Sequence, residues 1–75
     1  MSNSNSFQTG QYVKWDWGNG TACGQIEDRF EREVTRTLKG NEVTREGDSD
    51  NPAYLIKRDD GDKVLKLGSE LKAQN

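Results

Sequence analysis

The apolar residues of this chain recur at every second position, in short runs that are interrupted by glycine-containing turns. Between Val13 and Trp17 every second residue is apolar, which is the period of a strand with one buried face. Residues 18–20, Gly-Asn-Gly, supply the positive φ values of a tight hairpin. The alternation then resumes from Ala22 to Ile26 with small residues. The pattern predicts two antiparallel strands, in which the small residues leave room for tryptophan rings.

A repeated tripeptide marks the middle of the chain. Val-Thr-Arg occurs at residues 34–36 and again at residues 43–45. Gly40-Asn41 between the two copies predicts a hairpin turn, and the β-branched residues on either side favour strands. Because this hairpin contains few apolar residues, we expect it to be partly solvated.

The C-terminal third predicts two further strands and a short helical turn. Residues 53–58 give the clearest strand pattern, and the acidic turn at residues 59–62 leads into a last strand at residues 63–67. Residues 68–71 predict a single helical turn that closes the open end of a barrel with Leu71. The predicted fold class is therefore all-β, a small barrel of about five strands. An extended polar hairpin is inserted between its second and penultimate core strands.

Length and composition limit the chain to one domain with a small core. It has 75 residues, of which 29% are hydrophobic and 32% charged. Residues 1–9 lack a periodic pattern and predict a disordered leader, residues 10–72 the barrel domain and residues 73–75 a tail. No stretch approaches the ~18 apolar residues that cross a membrane, and no signal peptide is recognisable. Since the single Cys23 cannot form an intramolecular disulfide, we expect a reducing compartment and hence the cytoplasm. We also expect a monomer.

The ordered series of short motifs resembles a known family. It comprises Val13-x-Trp15-x-Trp17-Gly18, Thr21-Ala22-x-Gly24, residues 34–45, residues 50–54, residues 59–66 and Ser69-Glu70-Leu71. This series resembles the hypervirulence-associated protein TUDOR-domain family from Gly10 to Leu71. The resemblance implies an SH3-like barrel of the Tudor type, found in small bacterial and in fungal proteins. The family that the series resembles has no established enzymatic activity, and the resemblance does not identify a ligand.

Several kinds of active site are excluded by the composition. The chain contains no histidine and a single cysteine, so nucleophilic triads built on histidine and zinc sites rich in His or Cys are ruled out. The acidic turn lacks the spacing of an EF-hand calcium loop. A barrel this small offers no cleft in which a carboxyl group would be desolvated. We therefore predict a non-enzymatic protein without a metal or a cofactor.

Aromatic and acidic residues supply the candidate ligand site. An aromatic cage near carboxylates can hold a cationic peptide group by cation–π attraction. The competing interpretation is that both tryptophans form the core, since they share a strand face with Val13. We predict that the chain recognises a peptide or protein through an aromatic and acidic surface groove. The candidate residues are Trp15, Trp17, Tyr54, Asp59, Asp60 and Asp62.

The central hairpin favours a second interpretation, nucleic-acid binding. One face of a twisted ribbon would place several cations along a phosphate backbone, and the candidates are Arg32, Arg36, Lys39 and Arg45. Glutamates alternate with these residues, which favours cross-strand ion pairs on a solvated face, and the net charge of −2 argues against a dedicated nucleic-acid binder. A third interpretation is a structural or stress-related accessory protein that self-associates through the exposed edge of the hairpin.

Overall fold

A computed structural model of the chain describes residues 6–73. Within these residues the chain forms seven strands and one short 3-10 turn, Gly68–Glu70. No helix in this part is long and apolar enough to cross a membrane. The strands are β1 (Tyr12–Trp17), β2 (Gly20–Phe30), β3 (Glu33–Leu38), β4 (Asn41–Glu46), β5 (Ala53–Arg58), β6 (Lys63–Leu67) and β7 (Lys72–Ala73). The predicted all-β class is confirmed.

The strands form two sheets. Five of them make one antiparallel sheet in the order β6-β5-β2-β1-β7, and β3 pairs with β4 in a separate two-stranded sheet, called the ribbon below. The ribbon is inserted between β2 and β5, which pair directly with each other. The predicted small SH3-like, Tudor-type architecture of about five strands, with an extended hairpin and a C-terminal helical turn, is confirmed.

The main core lies on the face of the sheet that the two-residue pattern predicted. Val13 and Trp15 are 0% and 3% exposed, and in the strand register Trp15 lies opposite Ala22. Small residues on β2 therefore make space for the indole ring, as expected. The buried residues of this cluster are Phe7, Val13, Trp15, Ala22, Ile26, Tyr54, Ile56 and Leu71.

A second, smaller core lies between the ribbon and the other face of β5. Val34 of the ribbon packs with Ala53, Leu55 and Leu65, all of them buried. As a result residues 53–56 are buried on both faces of β5. The ribbon is thus part of the folded domain, although few of its own side chains are apolar.

Both ends of the domain extend beyond the predicted limits. The leader predicted for residues 1–9 needs correction at Phe7, which is 6% exposed and packs edge-to-face on Tyr54 with ring centroids 5.7 Å apart. An isolated aromatic residue has no periodicity to reveal it, yet it is buried here because it covers the core. Ala73 of the predicted tail belongs to β7 and pairs with Val13 of β1. Residues 1–5 and 74–75 lie outside the described residues.

The turn of the ribbon falls one residue earlier than predicted. The strands end at Leu38 and resume at Asn41, so the turn consists of Lys39 and Gly40, whose φ angles are 52° and 78°. Two successive positive φ values are those of a type I′ hairpin turn, which matches the twist of the flanking strands. The turn fixes which side chains of β4 face the sheet.

Candidate binding groove

An open groove of about 280 Å³ lies between the ribbon and the β5–β6 hairpin. Aliphatic side chains from both sides form its apolar floor. They are Leu38, Val43, Val64 and Leu65. Since the ribbon and the sheet each supply two of these residues, the groove exists only in the folded domain.

Trp17 is the aromatic residue of this groove. It is the last residue of β1 and lies opposite Gly20, which has no side chain to cover it. The side chain is accordingly 58% exposed. Tyr12, on the same strand, is the other large exposed hydrophobic residue in the described part of the chain, at 53%, but it does not line the groove.

Five cationic side chains form the rim. They come from the ribbon turn, β4, β5 and β6, and are Lys39, Arg45, Arg58, Lys63 and Lys66. Asp62 is the carboxylate among the described lining residues. The lining of the groove is therefore locally basic, even though the chain as a whole carries a net charge of −2.

Each rim cation has a carboxylate partner within the protein. The pairs are Lys39–Asp62 at 2.6 Å, Lys63–Glu27 at 2.9 Å, Arg58–Asp60 at 3.6 Å, Arg45–Glu70 at 3.7 Å and Lys66–Glu70 at 3.8 Å. Exposed ion pairs of this kind contribute about 0–1 kcal/mol. They can therefore be exchanged for contacts with a bound anion.

Two of the predicted ligand-binding aromatics belong to the core. Trp15 and Tyr54 are 3% and 0% exposed, so neither presents a surface to a ligand. The Tyr54 hydroxyl accepts a hydrogen bond from the Phe7 N–H over 2.7 Å. Hydrogen bonds to Tyr54, and then to Glu31, raise the pKa of the Arg29 guanidinium. Trp15 and Tyr54 are therefore core residues, as the competing interpretation held for Trp15, and Trp17 is the candidate aromatic residue that is exposed.

The three predicted carboxylates do not converge on one site. Asp62 lines the groove, whereas Asp59 and Asp60 line a shallow depression beside Cys23. The Asp60 carboxylate accepts the Asp62 N–H over 3.0 Å and thereby shapes the turn. In residues 6–73 no group of three or more His, Cys, Asp or Glu side chains is arranged to hold a metal ion. The groove is thus aromatic and basic rather than aromatic and acidic.

The four basic residues proposed for nucleic acid are also divided. Lys39 and Arg45 lie on the groove rim, whereas the guanidinium carbons of Arg32 and Arg36 lie 5.5 and 4.9 Å from the centre of the Phe30 ring. They do not line the groove. The sequence therefore identified two rim residues and two residues of a separate cationic surface.

The predicted cross-strand ion pairs of the ribbon are wrong. No ion pair joins β3 to β4 in the described part of the chain, and Glu33 lies directly opposite Glu46. Because successive side chains of a strand point to opposite faces, the alternating charges segregate. Arg36 and Arg45 share a face with Val34 and Val43, while the glutamates share the outer face with Thr35 and Thr44.

Sequence reasoning missed the part of the rim that lies outside the ribbon. Arg58, Lys63 and Lys66 flank the acidic turn in the sequence, where they resemble ordinary solvated charges. Their position on the hairpin that follows the ribbon in the sequence was a usable signal, because strands that pack together bring their side chains close to one another. That signal does not show which face of the hairpin the ribbon covers.

Comparison with known proteins places the chain in a family. A family model described as "Hypervirulence associated proteins TUDOR domain" matches residues 10–71. Comparisons with curated proteins and with solved structures give no significant match. Tudor-type domains are generally non-catalytic binding modules. The chain therefore belongs to the family of hypervirulence-associated protein TUDOR domains, and this membership supports a small binding module.

Proposed function

We propose that the chain is a non-enzymatic module that binds a peptide segment of a partner protein in the groove. The observation that carries this proposal is Trp17, which is 58% exposed beside an aliphatic floor and a cationic rim. Tryptophan and arginine are the side chains that most often dominate binding energy at protein interfaces. An exposed tryptophan in such surroundings is better explained by a partner than by the stability of the domain.

The chemistry of the groove defines the kind of peptide. The aliphatic floor favours one apolar side chain, because full burial of a leucine-sized group contributes about 1.5–3 kcal/mol. The rim favours acidic side chains on either side of that apolar anchor. Since the groove is open and shallow, a single contact would be weak, and repeated motifs in the partner would raise the overall affinity.

Selection from a displayed library of random peptides tests this proposal. We expect the enriched sequences to combine glutamate or aspartate with one leucine, isoleucine or phenylalanine. Trp17→Ala should weaken their binding by about tenfold or more, since such a residue contributes about 2 kcal/mol at an interface centre. Tyr12→Ala is the matched control, because Tyr12 is a similarly exposed aromatic residue of β1 outside the groove. Equal losses in the two variants would refute the groove as the binding site.

Single-stranded nucleic acid is a second candidate ligand, favoured by the presence of Trp17, Lys63 and Lys66 in one groove. An exposed aromatic ring stacks on bases while neighbouring cations contact phosphates. One observation favours the peptide instead. The floor is aliphatic, and Trp17 is the one aromatic side chain among the described lining residues, so the groove offers a single ring for stacking on bases.

Titration with a mixed-sequence single-stranded oligonucleotide at several salt concentrations separates the two ligands. A strand that contacts three cations would give a slope of log K against log salt of about −2. We expect a shallower slope and only millimolar affinity, followed through the amide NMR signals of Trp17 and Lys63. Micromolar affinity with a slope of −2 or steeper would make nucleic acid the preferred ligand.

A further inference from the structure

We infer that Arg45 and Lys66 form a subsite for one carboxylate side chain of the ligand, and that Glu70 occupies this subsite in the free protein. The inference rests on the proposed peptide groove and adds where the acidic residue binds. It also identifies Glu70 as a group of the protein itself that competes with the ligand for these two cations. The argument depends on how Glu70 is held and on which cations it contacts.

Glu70 does not itself line the groove, but it contacts one rim cation from each of the groove's two sides. Its Oε1 atom lies 3.7 Å from Arg45 Nε of β4, and its Oε2 atom lies 3.8 Å from Lys66 Nζ of β6. Among the described residues it is the one carboxylate that contacts two rim cations. Both distances exceed the 2.7–2.9 Å of a tight charge-assisted hydrogen bond. The contacts are therefore attractive but easily exchanged.

The carboxylate is positioned by its own backbone segment rather than by the cations. Its Oε1 atom accepts the Leu67 N–H over 2.9 Å, across the 3-10 turn. Arg45 is likewise oriented by its chain, since its Nη1 donates to the Thr44 carbonyl over 3.0 Å. An oriented guanidinium group thus faces a fixed negative charge, as it would face a glutamate or aspartate of a ligand.

Lys66 gives this subsite its selectivity for an anion. Its side chain is 17% exposed, less than any other paired cation of the described chain. A shielded ammonium group is poorly screened by salt and requires an anionic neighbour more than an exposed one does. Displacement of Glu70 is therefore favourable only when the ligand itself supplies a negative charge.

The test compares Glu70→Gln with Glu46→Gln. Glutamine keeps the acceptor for the Leu67 N–H and removes the competing charge. Glu46 belongs to β4, next to Arg45 in sequence, but shares the outer face with Glu33, so its substitution makes the same change in net charge without touching the subsite. The probes are the fluorescein-labelled peptide Ser-Glu-Glu-Leu-Glu-Glu-Ser and its counterpart with glutamine for every glutamate, followed by anisotropy and NMR.

We expect Glu70→Gln to bind the acidic peptide about fivefold tighter than Glu46→Gln does, as loss of the competing ion pairs predicts. The glutamine peptide should show no difference between the variants. Arg45→Gln should weaken binding of the acidic peptide and leave binding of the glutamine peptide unchanged. If Trp17→Ala weakens binding while the two glutamate variants bind equally, the carboxylate subsite is refuted and the groove stands. If no variant binds the acidic peptide, both proposals are refuted.

Discussion

Replacing Tyr54 with alanine is expected to lower the free energy of unfolding by about 3–5 kcal/mol, as for other buried aromatic residues. The side chain is 0% exposed, packs on Phe7 and contributes a hydroxyl that accepts the Phe7 N–H. A domain of this size has a total stability of roughly 0.05–0.15 kcal/mol per residue. The substitution should therefore populate the unfolded chain substantially, which chemical denaturation followed by circular dichroism would measure.

Two further variants separate the contributions of the Tyr54 ring and its hydroxyl. Tyr54→Phe keeps the ring and should cost about 1–3 kcal/mol, because it leaves a buried N–H without its acceptor. Tyr12→Ala removes an exposed tyrosine and should change stability by less than about 0.5 kcal/mol. A Tyr54→Ala protein as stable as the Tyr12→Ala protein would contradict the placement of Tyr54 in the core.

Gly24→Ala is expected to destabilise the domain by about 3 kcal/mol, the upper end of the usual cost of overpacking. A Cβ atom at this position would lie 2.5 Å from the Lys57 carbonyl oxygen and 2.8 Å from Ile56 Cγ2. The first of these atoms belongs to the backbone of the paired strand β5 and cannot rotate away. Relief would require β2 and β5 to separate, and thermal unfolding would report the loss.

Gly20→Ala is the matched control for Gly24→Ala. Gly20 is the first residue of the same strand, and no atom lies within 4 Å of a Cβ built there. We expect its melting temperature to stay close to that of the parent protein. A similar loss in both variants would indicate a general cost of alanine in β2 rather than the contact with Lys57.

The strands whose apolar residues recur at every second position were predictable from the sequence. Val13, Trp15, Ala22 and Ile26 alternate with polar residues, and burial of one face of a strand requires that alternation. The hairpin turns followed from glycine, which adopts positive φ without strain. These features depend on residues that are close together in the sequence, so they can be predicted without knowing which strands pair.

The features that sequence reasoning missed depend on contacts between distant segments. A bulge between Ile26 and Asp28 shifts the register of β2 against β5, so that Arg29 rather than Asp28 lies opposite Tyr54. Without the bulge, Asp28 would lie opposite Tyr54. The short strand β7 and the buried Phe7 have no periodicity at all. In each case the deciding interaction lies with a residue at least 25 positions away.

The candidate site was predictable only in part, for the same reason. Trp17 was identified because an aromatic residue at a strand end beside a glycine turn is often exposed. Tyr54 was a candidate as another aromatic residue of a strand, but its side chain packs in the main core against Phe7 and does not reach the surface. The rim was predicted only for Lys39 and Arg45, because residues of β4 and β6 become neighbours only when the ribbon packs against the sheet.

The two-residue turn at Lys39 and Gly40 determines the sign of the charge that the ribbon presents to its ligand. A strand that slips by a single residue exchanges its two faces. One inserted residue in this turn would direct Glu42 and Glu46 towards the sheet and carry Arg45 to the outside. Relatives that differ by one residue in this turn would thus differ in the charge that the ribbon contributes to the groove, and the length of this turn is the feature to compare among them.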